Sequence, residues 1–286
     1  MVIPAHARAE RLRTLLASIE SADEVVVAAD RPTDAVRAVL ADSEVRVVEV
    51  SGGPAKARNA GWRAATGAYV AFVDDDCEAA PGWLAALTAH AAHDAVVQGK
   101  VEPHPAERDR IGPFTRTLRV EGAGPFFQTA NILYPRALLE RLGGFDEAFT
   151  HPAGEDTDLG WRALEADARA VFAPEALVWH AVHEMGPLKL ARDAPRWGSA
   201  VRIVKRHPGL RAHFHRRFWW KQSHERLVLG LLTLLLVRRP WALVALAPWA
   251  LLHRGNPRDL PGHLVVDGAE VAAMTAGSVR ARTLLI

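Results

Sequence analysis

An apolar segment that ends in three consecutive aspartates constrains the fold of this chain more than any other feature. Residues 69–73 read Tyr-Val-Ala-Phe-Val and are followed directly by Asp74, Asp75 and Asp76. A short run of β-branched and aromatic residues predicts a strand buried on both faces, as in a parallel sheet covered by helices. Because ligands bind at the carboxyl ends of strands in open α/β sheets, we expect the aspartates to face such a site.

Carboxylates this close together repel one another unless a cation offsets their charge. Mg²⁺ and Mn²⁺ prefer oxygen ligands and often share them with substrate phosphates, so a divalent ion is one interpretation of residues 74–76. The other interpretation is a solvated acidic turn that caps a helix predicted over residues 81–92. The aspartates alone leave both open.

The first 102 residues alternate strand and helix signals. Apolar spacing and turn residues predict strands at 24–29, 45–50 and 95–101, and helices at 8–21, 34–40 and 55–65. Repeated strand-helix units predict a parallel sheet with helices on both faces. Further along, we expect a loop at 103–112, helices from 135 and 155, two strands at 170–173 and 176–179, and a helix around 267–275.

Five segments in a fixed order carry a family resemblance. They are Val2-Ile3-Pro4, residues 55–61 (AKARNAG), residues 73–76 (VDDD), residues 143–147 (GGFDE) and residues 154–162 (GEDTDLGWR). Together they resemble the inverting nucleotide-sugar glycosyltransferases of family 2, over roughly residues 1–185. The resemblance implies the GT-A fold, an α/β architecture with a Rossmann-like, mostly parallel sheet flanked by helices.

The resemblance also implies roles for individual residues. Asp156 is expected to be the general base, with Glu155 beside it, and Asp76 and His183 are expected to hold Mn²⁺ or Mg²⁺. The expected nucleotide-sugar contacts are Pro4, His6, Asp30, Arg58, Asn59, Asp74 and Asp75. The expected acceptor contacts are Thr129, Asn131, Gly144 and Trp161.

Several of these residues have structural alternatives. Asp30 follows Ala29 where the family usually has two acidic residues, so it can equally be a turn residue, and the nucleobase is left open. Acidic residues in the first turn of a helix are stabilised by the helix dipole, so Glu155 and Asp156 can be capping residues. His183 and the nearby His180 can be a hydrogen-bonded structural pair.

The C-terminal part, residues 191–286, is a different kind of sequence, expected to be a helical extension. Within residues 213–252, a basic-aromatic stretch precedes two apolar runs that are separated by Arg238 and Arg239. Each run is shorter than the about 20 residues that span a bilayer. If the two runs were joined into one span, the two arginines would lie near its middle, at a high cost in free energy. We expect helices at a membrane surface, with tryptophans at headgroup depth: Trp219, Trp220, Trp241 and Trp249. Buried helices or a homo-oligomer interface are the alternatives.

Composition narrows the classes of protein to which this chain can belong. A hydrophobic fraction of 49% and a charged fraction of 24% are those of an ordinary globular protein, and a net charge of +2 gives no sign of nucleic-acid binding. The single cysteine, Cys77, fits a reducing compartment. The chain opens on a strand-like segment rather than a signal peptide, although the shortness of that strand leaves the native start open. We therefore expect a cytoplasmic protein attached to the inner face of the membrane.

The predicted protein is a metal-dependent, inverting glycosyltransferase. Its catalytic domain is expected over residues 1–190, with a nucleotide-sugar half at 1–102 and an acceptor half at 103–190. The acceptor is a hydroxyl on a sugar or lipid-linked sugar, as in cell-envelope or polysaccharide synthesis. A nucleotidyltransferase of similar fold is one alternative, but its glycine-rich start is missing here. The other is an inactive scaffold, which would not need its acidic residues. Donor, nucleobase and acceptor are left open.

Overall fold

The apolar run before the aspartates forms a central strand of an eight-stranded sheet. The structure, a computed structural model, describes residues 1–286. The sheet strands are β1 (Val2–Ala5), β2 (Val26–Asp30), β3 (Arg46–Val50), β4 (Tyr69–Phe72), β5 (Cys77–Ala79), β6 (Ala95–Pro103), β8 (Ile132–Pro135) and β9 (Arg169–His180). Their order is β3-β2-β1-β4-β8-β6-β9-β5. Two short strands, β7 (Thr115–Arg116) and β10 (His183–Glu184), lie outside this sheet.

The sheet is mostly parallel, as the sequence predicts. Strands β3, β2, β1 and β4 run parallel, and β8 then pairs antiparallel with β4. Val70, Ala71 and Phe72 of β4 are almost fully buried. Since parallel neighbours end at the same edge, the residues that follow β1, β2 and β4 come together there.

Helices cover the sheet at nearly the predicted positions in the first half of the chain. They are α1 (Ala9–Ser18), α2 (Asp34–Ala41), α3 (Pro54–Ala64), α4 (Trp83–Ala89), α5 (Arg136–Leu142) and α6 (Glu155–Glu165). Leu12 and Leu15 of α1 are fully buried in the core. Helix α3 packs so closely that a Cβ on Gly61 would lie 2.4 Å from Val2 Cγ1, which is why a glycine is required there.

The chain divides into two compact units, residues 1–111 with 116–183, and residues 112–115 with 184–286. The second unit is helical, as expected: α7 (Pro187–Asp193), α8 (Gly198–Arg206), α9 (Gln222–Val237), α10 (Ala247–Ala250) and α11 (Leu260–Ala281). Short 3-10 helices connect them, among them Pro208–His213, Pro240–Leu246 and Leu251–His253. None of its helices combines the length and the apolar character that crossing a bilayer requires.

Three predicted elements are corrected. The expected loop at 103–112 contains a 3-10 helix, Pro105–Arg110, which begins at a proline that suits a first helical position. The two strands expected at 170–173 and 176–179 are one strand, β9, whose register against β6 shifts so that Gly99 pairs with Ala173 and Lys100 with Leu177. Helix α11 is far longer than the predicted 267–275, because it begins at Leu260 with Pro261 in its first turn, where proline is tolerated, and continues to Ala281.

Candidate active site

The three aspartates after β4 lie in a network of basic side chains. Asp74 Oδ1 is 2.9 Å from Arg58 Nη2, and Asp76 Oδ2 is 2.8 Å from His183 Nε2. Asp75 and Asp76 are buried, whereas Asp74 is half-buried. This burial excludes the solvated acidic turn that the sequence left open.

Asp76 and two histidines form a set of possible metal ligands. His183 and His180 lie on the segment that closes β9 and opens β10, and His180 Nε2 is 3.6 Å from Asp76 Oδ1. One ligand atom from each of the three residues lies within 4.8 Å of the others. The backbone N–H of Ala181 donates to the Asp76 carbonyl at 2.9 Å, which fixes the segment against the aspartate loop. A carboxylate with two imidazoles is a donor set that Mn²⁺ accepts.

Arg8 is a residue of this site that the sequence analysis did not identify. Its Nη1 lies 2.5 Å from Asp75 Oδ1 and 3.3 Å from Asp76 Oδ2, while the backbone N–H of His6 donates to Asp75 Oδ2 at 3.3 Å. The Arg8 side chain is about half exposed. It therefore covers the buried carboxylates with a positive charge that reaches solvent.

The environment shifts the pKa values of the two buried aspartates, Asp75 and Asp76, in opposite directions. For Asp76, burial opposes ionisation, but the His183 hydrogen bond and the charges of His180 and Arg8 outweigh it, so its pKa lies well below the usual range. For Asp75, burial dominates the attraction of Arg8 and raises the pKa to about 6. Asp76 is thus the carboxylate kept ionised, as a metal ligand must be.

Arg58 links the aspartates to the acidic pair at the start of α6. Its Nη2 meets Asp74, and its Nη1 lies 2.7 Å from Glu155 Oε1. Burial opposes the charge of Arg58, but Asp74 and Glu155 raise its pKa above the ordinary value. Glu155 Oε2 accepts the Ala153 N–H at 3.0 Å, so both of its oxygens are engaged.

Asp156, next to Glu155, has the properties of a proton acceptor. Burial, then the charge of Glu155, raises its pKa to about 7, against the opposing attraction of Arg58. Its Oδ1 accepts the N–H of Thr157 at 2.7 Å. A carboxylate poised near neutral pH matches the requirement for a general base. Of the two neighbours, Glu155 is committed to the protein and Asp156 is available.

Comparison with known proteins identifies the family. The sequence profile described as Glycosyl transferase family 2 matches residues 1–145. The chain belongs to this family. It is 33% identical over 226 residues to the pre-mycofactocin glycosyltransferase of Mycobacterium tuberculosis, covering 73% of this chain and 48% of that protein. It is 29% identical over 259 residues to the validoxylamine A glucosyltransferase of Streptomyces hygroscopicus subsp. jinggangensis, covering 73% and 61%. The chain thus spans about half to three fifths of these relatives.

A solved structure shares the fold with this family 2 chain. The mannosyltransferase from Pyrobaculum calidifontis, in complex with GDP-Man and Mn²⁺, superposes with a TM-score of 0.59 at 22% identity, covering 98% of this chain and 86% of that one. The expected GT-A fold, with its mostly parallel sheet and a C-terminal helical part, is confirmed.

Asn59 does not have the direct donor contact that the family resemblance implied. Its Nδ2 donates to the Phe145 carbonyl and to Glu147 Oε1, at 2.8 and 2.9 Å. Its Oδ1 accepts from the Phe145 N–H and from Trp62 Nε1, both at 2.9 Å. With every polar atom used and the side chain buried, Asn59 anchors the 143–147 segment to α3 instead of contacting a ligand.

Asn131 is also a structural residue rather than an acceptor contact. The side chain is fully buried, and its Nδ2 donates to the carbonyls of Lys100 and Ala176 at 2.8 and 2.7 Å. Trp83 Nε1 donates to its Oδ1 at 2.8 Å. These carbonyls lie where the register of β6 and β9 shifts, so Asn131 satisfies the groups that the ladder leaves unpaired.

The other expected acceptor contacts have mixed outcomes. Thr129 is buried, and its contact with an acceptor stays a prediction. Gly144 has φ +75, and a Cβ there would lie 2.3 Å from Asn59 Oδ1, so it allows a close backbone approach. Trp161 is partly exposed, and its Nε1 donates to the Pro125 carbonyl at 2.9 Å. Contact of Gly144 or Trp161 with an acceptor stays a prediction.

The remaining donor-side residues lie at the expected strand ends. Asp30 ends β2, and its carboxylate accepts the N–H groups of Gly52 and Gly53, both at 3.1 Å, which fixes the turn before α3. His6 follows β1 and hydrogen bonds through Nδ1 to the Asp30 carbonyl. Pro4 lies in β1 and is partly buried. Direct contacts of these residues with a nucleotide stay predictions.

Glu107 supports the histidine segment and has no sequence signal of its own. It lies on the 3-10 helix that was predicted as a loop, and its Oε2 accepts the Val182 N–H at 2.8 Å. Its other oxygen pairs with Arg11 of α1. Glu107 therefore fixes the backbone between His180 and His183.

Proposed function

We propose that residues 1–190 transfer a sugar, with inversion, from a nucleotide-diphospho-sugar to an acceptor hydroxyl, and that the reaction requires Mn²⁺ or Mg²⁺. The carrying observation is one continuous network, in which Arg58 joins Asp74 of the aspartate loop to Glu155 beside Asp156. It connects an ionised ligand set at Asp76 with a carboxyl poised near neutrality at Asp156. Residues 1–102 supply the donor half and residues 103–190 the acceptor half.

The residues around Asp76 fit a divalent cation. A buried, ionised carboxylate and two imidazoles converge within 4.8 Å, and Asp76, His180 and His183 would hold the ion. The mannosyltransferase that shares this fold was solved with GDP-Man and Mn²⁺, which supports the same ligand class here. A bound cation supplies positive charge that stabilises the departing diphosphate.

The chain's own residues account for the proton and for charge balance. Asp156 accepts the proton of the acceptor hydroxyl while the hydroxyl oxygen forms a bond to the anomeric carbon. On the opposite face of that carbon, its bond to the diphosphate oxygen breaks. Arg58 holds Glu155 and Asp74 in place through its two ion pairs, and Asp156 is the neighbour whose pKa is raised. Arg8, half exposed above Asp75, is placed to meet an incoming anion.

Donor preference is the direct test of this function. Purified protein is incubated with UDP-, GDP- and dTDP-sugars and Mn²⁺, and nucleoside diphosphate release is measured. Hydrolysis of at least one donor, abolished by chelator, is expected. Absence of release with every donor, or equal release in chelator, contradicts the proposal.

We predict that activity rises with pH through about 7. Asp156 must be ionised to accept a proton, and its pKa of about 7 reflects burial and the charge of Glu155, with Asp74 adding to and Arg58 opposing the shift. Below that pH the carboxyl is protonated and the acidic limb of log kcat/KM should have a slope near one. The measurement is a pH profile at saturating Mn²⁺. A flat profile between pH 5.5 and 8 would show that Asp156 does not titrate in the rate-determining step.

We predict that Glu107→Ala weakens Mn²⁺ binding by about 10- to 100-fold, the effect typical of groups that orient metal ligands. Loss of the acceptor for the Val182 N–H frees the segment carrying His180 and His183. Mn²⁺ affinity is measured by electron paramagnetic resonance. Glu102→Ala is the matched control, because Glu102 pairs with Lys100 and Arg108 and not with this segment. Equal effects of both variants would mean a general loss of stability.

We also propose that the helical unit binds an anionic membrane surface. Large apolar side chains are exposed along α9 and the segment after it: Leu229, Leu231, Leu232, Leu235, Leu236, Trp241, Leu243, Val244, Leu251 and Leu252. Exposed arginines flank them at positions 238, 239, 254 and 258. Apolar side chains bordered by Arg suit a surface with anionic headgroups, at about 1 kcal/mol per charge. The attachment would place the enzyme on the cytoplasmic face, near a lipid-linked acceptor.

One part of the expected membrane contact is wrong. Trp249 is buried, and its Nε1 donates to Asp267 Oδ2 at 2.9 Å, so it cannot lie at headgroup depth. Trp219 and Trp220 are partly buried. Trp241 is 67% exposed and remains the candidate anchor.

Vesicle flotation tests the surface. We expect the protein to float with vesicles containing anionic lipid at low salt, and the double variant Leu235→Glu, Leu236→Glu to lose flotation while retaining donor hydrolysis. Leu188→Glu is the control, because Leu188 is 70% exposed but lies in α7, outside this face. If the unaltered protein stays in the soluble fraction at low salt, the membrane proposal fails. Sedimentation velocity then tests the dimer alternative.

A further inference from the structure

The helical unit contains a second cluster of metal-ligand side chains, separate in sequence from the aspartate loop. His224 of α9 and Asp267 and Glu270 of α11 each offer a ligand atom, and these atoms lie within 4.8 Å of one another. All three residues are buried, with 0%, 3% and 7% of their surface exposed. Asp267 and Glu270, three residues apart on one helix, project from the same face.

Hydrogen bonds connect the cluster to a further histidine, His253, which contacts Asp267. Glu270 Oε2 is 3.1 Å from His224 Nε2. Asp267 Oδ2 accepts from Trp249 Nε1 at 2.9 Å and lies 3.0 Å from His253 Nε2. His253 ends the 3-10 helix Leu251–His253, so three segments of the unit converge on two carboxylates.

The cluster is not a completed hydrogen-bond network. His224 Nδ1 is buried and has no hydrogen-bond partner, which is costly for an imidazole nitrogen. Asp267 Oδ2 has Trp249 Nε1 and His253 Nε2 as its hydrogen-bond partners. Two carboxylates this deeply buried require positive charge close by.

Lys221 supplies a charge from the edge of the cluster. Its Nζ lies 2.5 Å from Glu270 Oε2, and the side chain is 45% exposed. Because this ammonium reaches Glu270 from the solvent side, it can leave without opening the core. Removal of the Lys221 ammonium should strengthen metal binding if the cluster is a metal site, and should destabilise the unit if the cluster is an ion-pair network.

We propose that His224, Asp267 and Glu270 bind a divalent transition metal such as Zn²⁺, with His253 orienting Asp267. Zn²⁺ accepts one imidazole and two carboxylates as ligands, with water in the fourth position of a tetrahedral site. The ion would join α9 and α11 and displace Lys221 from Glu270. Since α9 carries the exposed leucines, the metal is a structural cross-link beneath that apolar face.

The test uses the full chain with Asp76→Asn and His183→Gln, which removes two of the three proposed ligands of the catalytic site. After chelator treatment and buffer exchange, Zn²⁺ binding is measured by isothermal titration calorimetry, and thermal unfolding with and without Zn²⁺. One equivalent of Zn²⁺ and a rise in Tm are expected. Adding Asp267→Asn should lower the affinity at least about 10-fold.

Two further variants separate a metal site from an ion-pair network. Lys221→Met should increase Zn²⁺ affinity, because the competing ammonium is gone; in a network it should lower Tm, with no response to Zn²⁺. Glu225→Gln is the matched control, since Glu225 is a buried acid of α9 that pairs with His215 and Arg216 outside the cluster. No Zn²⁺ binding with or without Lys221→Met overturns the proposal. A Zn²⁺ affinity that Asp267→Asn leaves unchanged also overturns it. Donor hydrolysis by the unaltered chain is a separate readout, so failure here leaves the proposed transferase function intact.

Discussion

Asp156→Asn is expected to lower kcat by about 10²- to 10⁴-fold, the usual contribution of a positioned general base. Asparagine keeps the size of the side chain and can still accept the Thr157 N–H, but it cannot take a proton at neutral pH. The base acts in the transition state, so its loss should appear in kcat far more than in donor affinity. The measurements are steady-state kcat and equilibrium binding of the donor.

Glu155→Gln is the informative comparison for this prediction. Glu155 is held by the Arg58 guanidinium and the Ala153 N–H, so its substitution should lower Tm and disturb donor binding through Arg58. We expect the smaller effect on kcat from this variant once folded protein is compared. A larger loss of kcat in Glu155→Gln would mean that the base is the other member of the pair. Retention of the acidic limb of the pH profile in Asp156→Asn would point to the same conclusion.

The sheet and its ligand edge are predictable from sequence because their signals are local. The apolar run before Asp74 is bounded by Gly67 on one side and carboxylates on the other, and the residues before it alternate between strand-like apolar runs and helical apolar spacing. Repeated strand-helix units predict a parallel sheet, whose strands end at one edge. In the structure β1 lies between β2 and β4, so His6, Asp30 and the aspartates meet at that edge.

Residues whose partners are distant in sequence were not predictable in the same way. Arg8 reaches Asp75 because β1 and β4 are neighbours, which no local pattern around Arg8 records. Asn131 lies in a motif-like segment, yet its amide is used up by a register shift between β6 and β9. A polar residue near a motif has the same sequence signature whether it contacts a ligand or a backbone carbonyl.

The helical unit shows the same limit in its core. The sequence predicted an interfacial role for all four tryptophans, but Trp249 is buried by its hydrogen bond to an aspartate on α11. That aspartate lies 18 residues away along the chain, on a helix that was predicted too short. No local pattern around Trp249 records a partner this distant in sequence.

Asp76→Asn is expected to abolish Mn²⁺ binding at the catalytic site and to reduce Mn²⁺-dependent donor turnover by at least about 100-fold. Loss of a group that merely orients a ligand costs 10- to 100-fold in metal affinity, and Asp76 is a proposed ligand itself. The substitution removes the negative charge that His183, His180 and Arg8 stabilise, and leaves three positive or neutral groups facing one another. Asparagine is nearly isosteric, so the fold should survive, which circular dichroism and Tm will report.

The matched control is Asp75→Asn, one position earlier in the same loop. Asp75 is equally buried and also meets Arg8, but the histidine contacts at 2.8 and 3.6 Å belong to Asp76. We therefore expect Asp75→Asn to bind Mn²⁺ normally in the absence of nucleotide, and to change donor affinity only. Mn²⁺ binding is measured by electron paramagnetic resonance without nucleotide, and turnover with and without chelator. Unchanged Mn²⁺ affinity in Asp76→Asn, or full turnover of the unaltered protein in chelator, would disprove the metal role. Because Asp75 and Asp76 share Arg8 and burial, a loss confined to Asp76→Asn can come only from the carboxylate that faces the two histidines.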